Sequence, residues 1–299
     1  MPDVLPSLLH DARATLGEGP VWDARRGVLW WVDIKQRTLH AFRPDPGGLS
    51  GVAERQWSLP GQIGCLGLWG EDRLILALED GIYGFDPATA TLARHGTLAP
   101  EAGATRFNDG KVDPTGRFWA GTLDDTMYPA TGALYSIDSS GQHQRRLSGI
   151  CCTNGIGWTQ DGSTMYFTDS MRRVIWAFDF DPKTGAITRQ RDFAHIPVPA
   201  VPDGLAVDAE GCVWSALWDG SAVARFAPDG RQIASVLMPV ERPTSCAFGG
   251  PDMRTLFITS ASIGLSPAKL DKSPASGGLF AVRTDAPGVP VAQFHGPVP

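Results

Sequence analysis

The chain has little that would tie it to a membrane, a nucleic acid or an oxidising compartment. Its longest apolar runs, such as Arg73-Leu-Ile-Leu-Ala-Leu78, stop after a few residues, short of the ~18 that a helix needs to span a bilayer. Positive charge is in deficit: 26 Lys+Arg face 32 Asp+Glu, a formal net charge of −6. No basic cluster relieves that deficit, so neither a nucleic acid nor a membrane surface is an expected partner. The N-terminus, Met1-Pro-Asp-Val-Leu-Pro6, has no basic stretch and carries an early acid, which argues against a signal peptide and for a cytoplasmic protein. Five cysteines, an odd number, show neither CxxC nor His-paired spacing; they read as buried free thiols of a reducing compartment. The six histidines share no register, which argues against a His-rich zinc site. Sustained helical period is missing as well, which disfavours an α/β chain.

What is plentiful is turn formers and tryptophan: 35 Gly, 24 Pro and 10 Trp, spread along the whole chain. A turn followed by a short apolar strand recurs. It appears as Gly27-Val-Leu-Trp-Trp-Val-Asp33, Asp72-Arg-Leu-Ile-Leu-Ala77 and Gly116-Arg-Phe-Trp-Ala-Gly121. It returns as Ser163-Thr-Met-Tyr-Phe-Thr-Asp169, Gly211-Cys-Val-Trp-Ser-Ala216 and Met253-Arg-Thr-Leu-Phe-Ile-Thr259. The centres Trp31, Ile75, Trp119, Tyr166, Trp214 and Phe257 are 44, 44, 47, 48 and 43 residues apart. Each copy is preceded by a Gly-rich strand and followed by two more. Four-stranded units repeating at a 40–50 residue period describe a β-propeller. The expectation is therefore an all-β, six-bladed β-propeller of about four antiparallel strands per blade, with residues 1–299 as one domain. Ser7-Leu-Leu-His-Asp11 and Val289-Pro-Val-Ala-Gln-Phe294 are the candidate closing strands, with both chain ends in one blade. The aromatic centres Trp31, Trp119, Tyr166 and Trp214 are expected in the core.

Aligning the units on their first, innermost strand places Glu18, Gly64, Asn108, Asn154, Asp203 and Thr244 in one register. In a closed ring these positions converge at the axis on one face. Carboxylates and amides brought together there repel unless something positive lies between them. An oxygen-only donor set suits a hard divalent cation. Asn-Gly and Asp-Gly are also ordinary turn sequences, but Glu18 has no turn-forming role. Asp33 and Asp169 end matching second strands and are expected to cap the turns that follow. His195, in a Pro-rich segment, reads as an exposed loop residue.

Five blocks carry a resemblance: Leu16-Gly-Glu-Gly-Pro-Val-Trp22, Arg106-Phe-Asn-Asp-Gly-Lys-Val-Asp113, Thr153-Asn-Gly-Ile-Gly-Trp158, Pro202-Asp-Gly-Leu-Ala-Val-Asp208 and Cys246-Ala-Phe-Gly-Gly-Pro-Asp252. In that order, and across essentially the whole chain, they resemble the regucalcin / gluconolactonase family. The resemblance implies a six-bladed propeller that hydrolyses a sugar lactone with one divalent cation: Ca²⁺, Zn²⁺, Mn²⁺ or Fe²⁺. It implies Glu18, Asn154 and Asp203 as metal ligands, and Arg106 and Asn108 as substrate contacts. Where some relatives carry a glutamate pair that reaches the sugar, this chain has the shorter Asp124 and Asp125, so the sugar preference does not transfer.

Lactone hydrolysis is acyl transfer to water, in which a cation can polarise the carbonyl and acidify the water. Asp203 is the candidate general base, or a ligand only. Arg106, Asn108, Asp124 and Asp125 are the candidate substrate-binding groups. Two other readings stay open: a two-calcium propeller esterase or phosphotriesterase, and a non-enzymatic calcium-binding propeller. Metal stoichiometry and lactone turnover separate the three.

Overall fold

A computed structural model of the protein describes residues 5–101 and 103–296; residues 1–4, the start of the segment read for a leader, lie outside them. Six antiparallel sheets follow one another along the chain, each with four antiparallel strands. Their inner strands are Gly17–Asp23, Ile63–Trp69, Arg106–Val112, Thr153–Trp158, Val201–Val207 and Pro243–Gly249. Each inner strand packs against those of its two neighbours, closing a six-bladed propeller, as expected. The repeat centres fall on the second strands Val28–Asp33, Arg73–Leu78, Phe118–Leu123, Thr164–Asp169, Val213–Trp218 and Thr255–Ser260. The one helix among the described residues is Pro267–Lys272, capped by Ser266.

The chain ends depart from expectation: they do not share a blade. Ser7–His10 pairs with Leu279–Arg283 and supplies the outer strand of blade 6. The C-terminal segment forms a strand only at Gln293–Phe294, which pairs in parallel with Leu68 and Trp69 on the inner edge of blade 2. The physical reason is one of vacancies. Blade 6 needs a single outer strand, which the N-terminal segment provides, so the C-terminal segment pairs elsewhere. On its way it crosses the lower end of the axis. The Val289 amide donates to the Val207 carbonyl, Ala209 to Pro287, and His295 to Gly116.

The core is six cores, one between each pair of adjacent blades. A twisted blade is apolar on both faces and has to bury both, so each second strand is apolar at its centre and buried along nearly all its length. Trp31, Trp119, Tyr166 and Trp214 are all buried, as expected. Asp113 and Asp208 end equivalent inner strands. Each takes a turn amide two residues on and the indole N–H six residues on, from Trp119 and Trp214, both at 2.9 Å.

His40 sits on the outside of this packing, its ring stacked 4.0 Å from that of Trp31. Burial, and then the nearby His10, lowers its pKa to about 4. Between that value and the ordinary ~6.5 the unfolded chain binds the proton and the folded one does not. Stability from this site is therefore full above about pH 6.5 and is lost as pH falls towards 4. His40→Gln should flatten that part of the stability–pH curve in urea unfolding; an unchanged slope would exclude the assignment.

Candidate functional site

All six inner strands break register with their neighbour at the same level. The irregularities lie between Glu18 and Val21, Ile63 and Cys65, Phe107 and Gly110, Asn154 and Ile156, Pro202 and Leu205, and Pro243 and Ser245. A bulge frees a residue from the ladder and re-aims its side chain. Here Asn108 and Asp203 fall within the bulge, and Glu18 and Asn154 are the last paired residues before it. Asn154-Gly155 and Asp203-Gly204 lie inside strands, so turn chemistry does not account for them. Their glycines are required by close approach. A Cβ on Gly155 would lie 2.5 Å from the Asp203 carbonyl oxygen, and one on Gly204 2.8 Å from the Ser245 Cα.

The ring opens into a cavity of about 220 Å³ lined by Glu18, Arg106, Asn108, Asn154 and Asp203 with Cys152 and Ser170; Leu16, Leu123, Val201, Met127, Met171 and Trp218 supply its apolar wall. The five polar residues singled out from the sequence are each more than nine-tenths buried. Arg106 is fixed on three sides: Nε donates to Asp125 Oδ1 at 2.8 Å, and Nη1 to Asn108 Oδ1 at 2.6 Å and to the Phe107 carbonyl at 3.1 Å. Asn108 donates onward to the Thr153 carbonyl at 2.8 Å. Asn154 Nδ2 donates to Ser170 Oγ at 3.0 Å, which orients the amide. Asn154 Oδ1 and Asp203 Oδ1 are buried without a hydrogen-bond partner among the described residues. Buried polar atoms are nearly always paired, so these two acceptors at one axial site are open to a donor or a cation.

The charges say the same. Burial, reinforced by Asp203 and Asp109, holds the Glu18 carboxyl well above the usual range. Burial and then Asp109 do the same to Asp203. Burial and the neighbouring Asp203 push the Cys152 thiol up to about 12. Other buried carboxylates have fixed partners. Arg117 pairs with Asp113, Arg172 with Asp169 and Arg225 with Asp208. Asp33 takes four backbone amides.

Asp124 and Asp125 are not among the lining residues. Asp124 turns into its own loop, accepting from the Thr126 amide at 2.7 Å. Asp125 is exposed and holds Arg106 from outside. Asp33 caps the turn after it, as expected, accepting the Lys35 and Gln36 amides; Asp169 instead takes the Arg172 side chain from its turn, and both hold the approach to the ring. Asp33 accepts the Leu16 amide and Asp169 the Cys152 amide, each two residues before a ring residue. His195 is exposed and paired with Asp192. Asp208, Glu210 and Cys212 also gather ligand-type atoms within 4.8 Å. Arg225 already binds both carboxylates there, at 2.7 and 2.6 Å, so that group is an ion-pair knot. Sequence reasoning missed Asp109, Lys111 and Trp218. Asp109 and Lys111 lie in a block quoted whole, where alternation from Asn108 gives no warning of the bulge. Trp218 has Arg242 over its ring at 4.7 Å and ends a strand whose core residue, Trp214, drew attention first.

Fold and site together define a six-bladed propeller with an acidic, oxygen-lined pocket at one end of its axis. Residues 16–262 match the SMP-30/Gluconolactonase/LRE-like region, and the chain belongs to that family. It is 38% identical over 285 residues to a 6-deoxy-6-sulfogluconolactonase of Pseudomonas putida, covering 95% of this chain and 96% of the relative. It is 36% identical to an L-arabinolactonase of Azospirillum brasilense, covering 97% and 95%. The crystal structure of a calcium-binding protein, regucalcin, from Agrobacterium tumefaciens superposes with a TM-score of 0.89 at 29% identity, covering 97% of each chain.

Gly155→Ala should force the blade 4 and blade 5 inner strands apart, at a cost on the order of 1–3 kcal/mol in urea unfolding. Gly47→Ala, with nothing within 4 Å of the added Cβ, should leave the midpoint unchanged.

Proposed function

We propose that this chain is a divalent-metal-dependent sugar lactonase that opens an aldonolactone to the aldonic acid, with Glu18, Asn154 and Asp203 holding one cation and the whole chain acting as a single domain. The observation that carries the reading is the pair of buried carboxylates, Glu18 and Asp203, that lack a fixed cationic partner, with Asp203 Oδ1 and the nearby Asn154 Oδ1 both without a hydrogen-bond partner among the described residues. Two negative charges in excess match one divalent ion. The donors are all oxygen, which suits Ca²⁺ and Mn²⁺ and leaves room for Zn²⁺ or Fe²⁺. Relatives named as lactonases of gluconate- and arabinose-type sugars supply the substrate class. Five unpaired, buried cysteines support a reducing compartment such as the cytoplasm.

A cation held there would polarise the lactone carbonyl and acidify a nearby water. The chain's own residues do the rest. Asp203 accepts the proton of the attacking water, its Oδ1 being buried without a hydrogen-bond partner among the described residues. Arg106 uses Nε and Nη1 on protein partners and offers Nη2 to the substrate's oxygens. Asn108, tied at both ends of its amide, holds Arg106 in place and fills the wall between blades 3 and 4. Asp125 acts on the substrate through Arg106, and Asp124 shapes the loop that carries it. The cavity volume accommodates a single sugar ring, and Trp218 with the two methionines gives that ring an apolar face.

The deciding experiment is a panel of five- and six-membered aldonolactones, assayed with metal-stripped protein and after adding back single cations. Hydrolysis that vanishes on stripping and returns with about one ion per chain supports the reading; metal-independent turnover rejects it. Asn154→Ala should weaken cation affinity while excess cation restores most of kcat. Asp203→Asn keeps a ligand oxygen but loses the base, so a deficit of about 10²–10⁴ should persist at saturating cation. Recovery of Asp203→Asn to near wild type would leave Asp203 a ligand only.

A further inference from the structure

Beneath the ring the axis carries a second charged layer. Asp109 sits in the bulge directly after Asn108, and Lys111 follows two residues on. Each is the other's foremost charged partner. Lys111 reaches across the axis from blade 3 to blade 5, where Nζ donates to the Leu205 carbonyl at 2.9 Å. The side chain borders a cavity of about 400 Å³ that fills the lower half of the axis and is otherwise lined mainly by apolar groups such as Val21, Leu66, Val112 and Phe248. The ammonium thus rests against a carbonyl oxygen of blade 5 and within the field of the Asp109 carboxylate on its own blade. Those are the groups a hard cation would seek. Asp109 is also close enough to act on both Glu18 and Asp203, so the two layers form one electrostatic unit.

We infer that Lys111 stands in the place of a second axial cation and thereby limits this propeller to one divalent ion. The inference rests on the metal site proposed above and adds to it a reason for the stoichiometry. Three carboxylates, Glu18, Asp109 and Asp203, share the axis; with the Lys111 ammonium offsetting Asp109 the excess is two negative charges. Without Lys111 it is three, and Asp109 and the Leu205 carbonyl are left without their cation. A second ion would then have both a vacancy and a charge to neutralise. The fixed ammonium holds this chain away from that state.

Calcium alone is the probe, titrated by isothermal calorimetry and equilibrium dialysis into chelator-stripped, full-length protein. Wild type should bind about one ion and Lys111→Met about two. The second should be weak, with a dissociation constant on the order of 10⁻⁴–10⁻³ M, and should be lost again in the Lys111→Met, Asp109→Asn double variant. Asp109→Asn alone leaves the ammonium uncompensated and should weaken the first site, on the order of tenfold. A folded Lys111→Met protein that binds a single ion overturns the inference, as does a wild type that binds two. If Lys111→Met does not fold, Asp109→Asn decides: calcium affinity equal to or above wild type overturns it. Wild type that binds no calcium and hydrolyses no lactone rejects the proposed function itself. Wild type with one ion and activity, but no change in stoichiometry in the variant, rejects only the role of Lys111.

Discussion

The mutual repulsion of Glu18 and Asp203 is the constraint on which the rest of the molecule turns. Each is buried, each is within electrostatic reach of the other, and neither has a fixed cation of its own. An uncompensated pair of this kind works against the fold that creates it. What holds it in place is ring closure. Six interblade cores have to separate before the axis can widen, and the outer strand of the last blade comes from the N-terminal segment. Stability gained over the whole circumference is spent at one point on the axis, where it keeps these oxygens together. That is preorganisation in the physical sense: the fold meets the cost of assembling the site ahead of binding.

The bulges show how a repetitive architecture produces a single asymmetric site. All six inner strands break register at one level, so the geometry there is sixfold. The residues placed on that geometry are not. Glu18, Asn108, Asn154 and Asp203 bring oxygen donors, whereas Gly64 lies against the backbone of Phe107 and Thr244 bonds to the Gly17 carbonyl at 2.5 Å. Two blades thus give up their axial position to packing, and the site opens towards the other four. Arg106 shows the same division of labour within one strand. Its charge is balanced at the mouth by Asp125 and its direction is set by Asn108.

Much of this was legible in the sequence, and the reason differs by feature. The propeller was readable because the second strands are buried on both faces, so that Trp31, Trp119 and Trp214 recur at near-constant spacing. The ring was readable because Glu18, Asn154 and Asp203 share a register with an apolar residue four positions on, and because the bulge falls at the same place in every blade. The same bulge hid Asp109 and Lys111: simple alternation does not send three neighbouring positions towards one axis. Asp124 and Asp125 were legible as a polar loop, but which way a loop carboxylate turns depends on local amides such as that of Thr126, and only the fold sets those. The C-terminal strand could not be placed at all, since its partner lies more than two hundred positions away in blade 2 and only two residues pair.

The C-terminal segment drawn across the lower end of the axis has a consequence for traffic. The crossing by residues 287–294 and the reach of Lys111 from blade 3 to blade 5 both stand between the ring and the lower end of the axis. Reactant and product would then share the mouth beside Arg106, so a product that lingers there keeps the next reactant out.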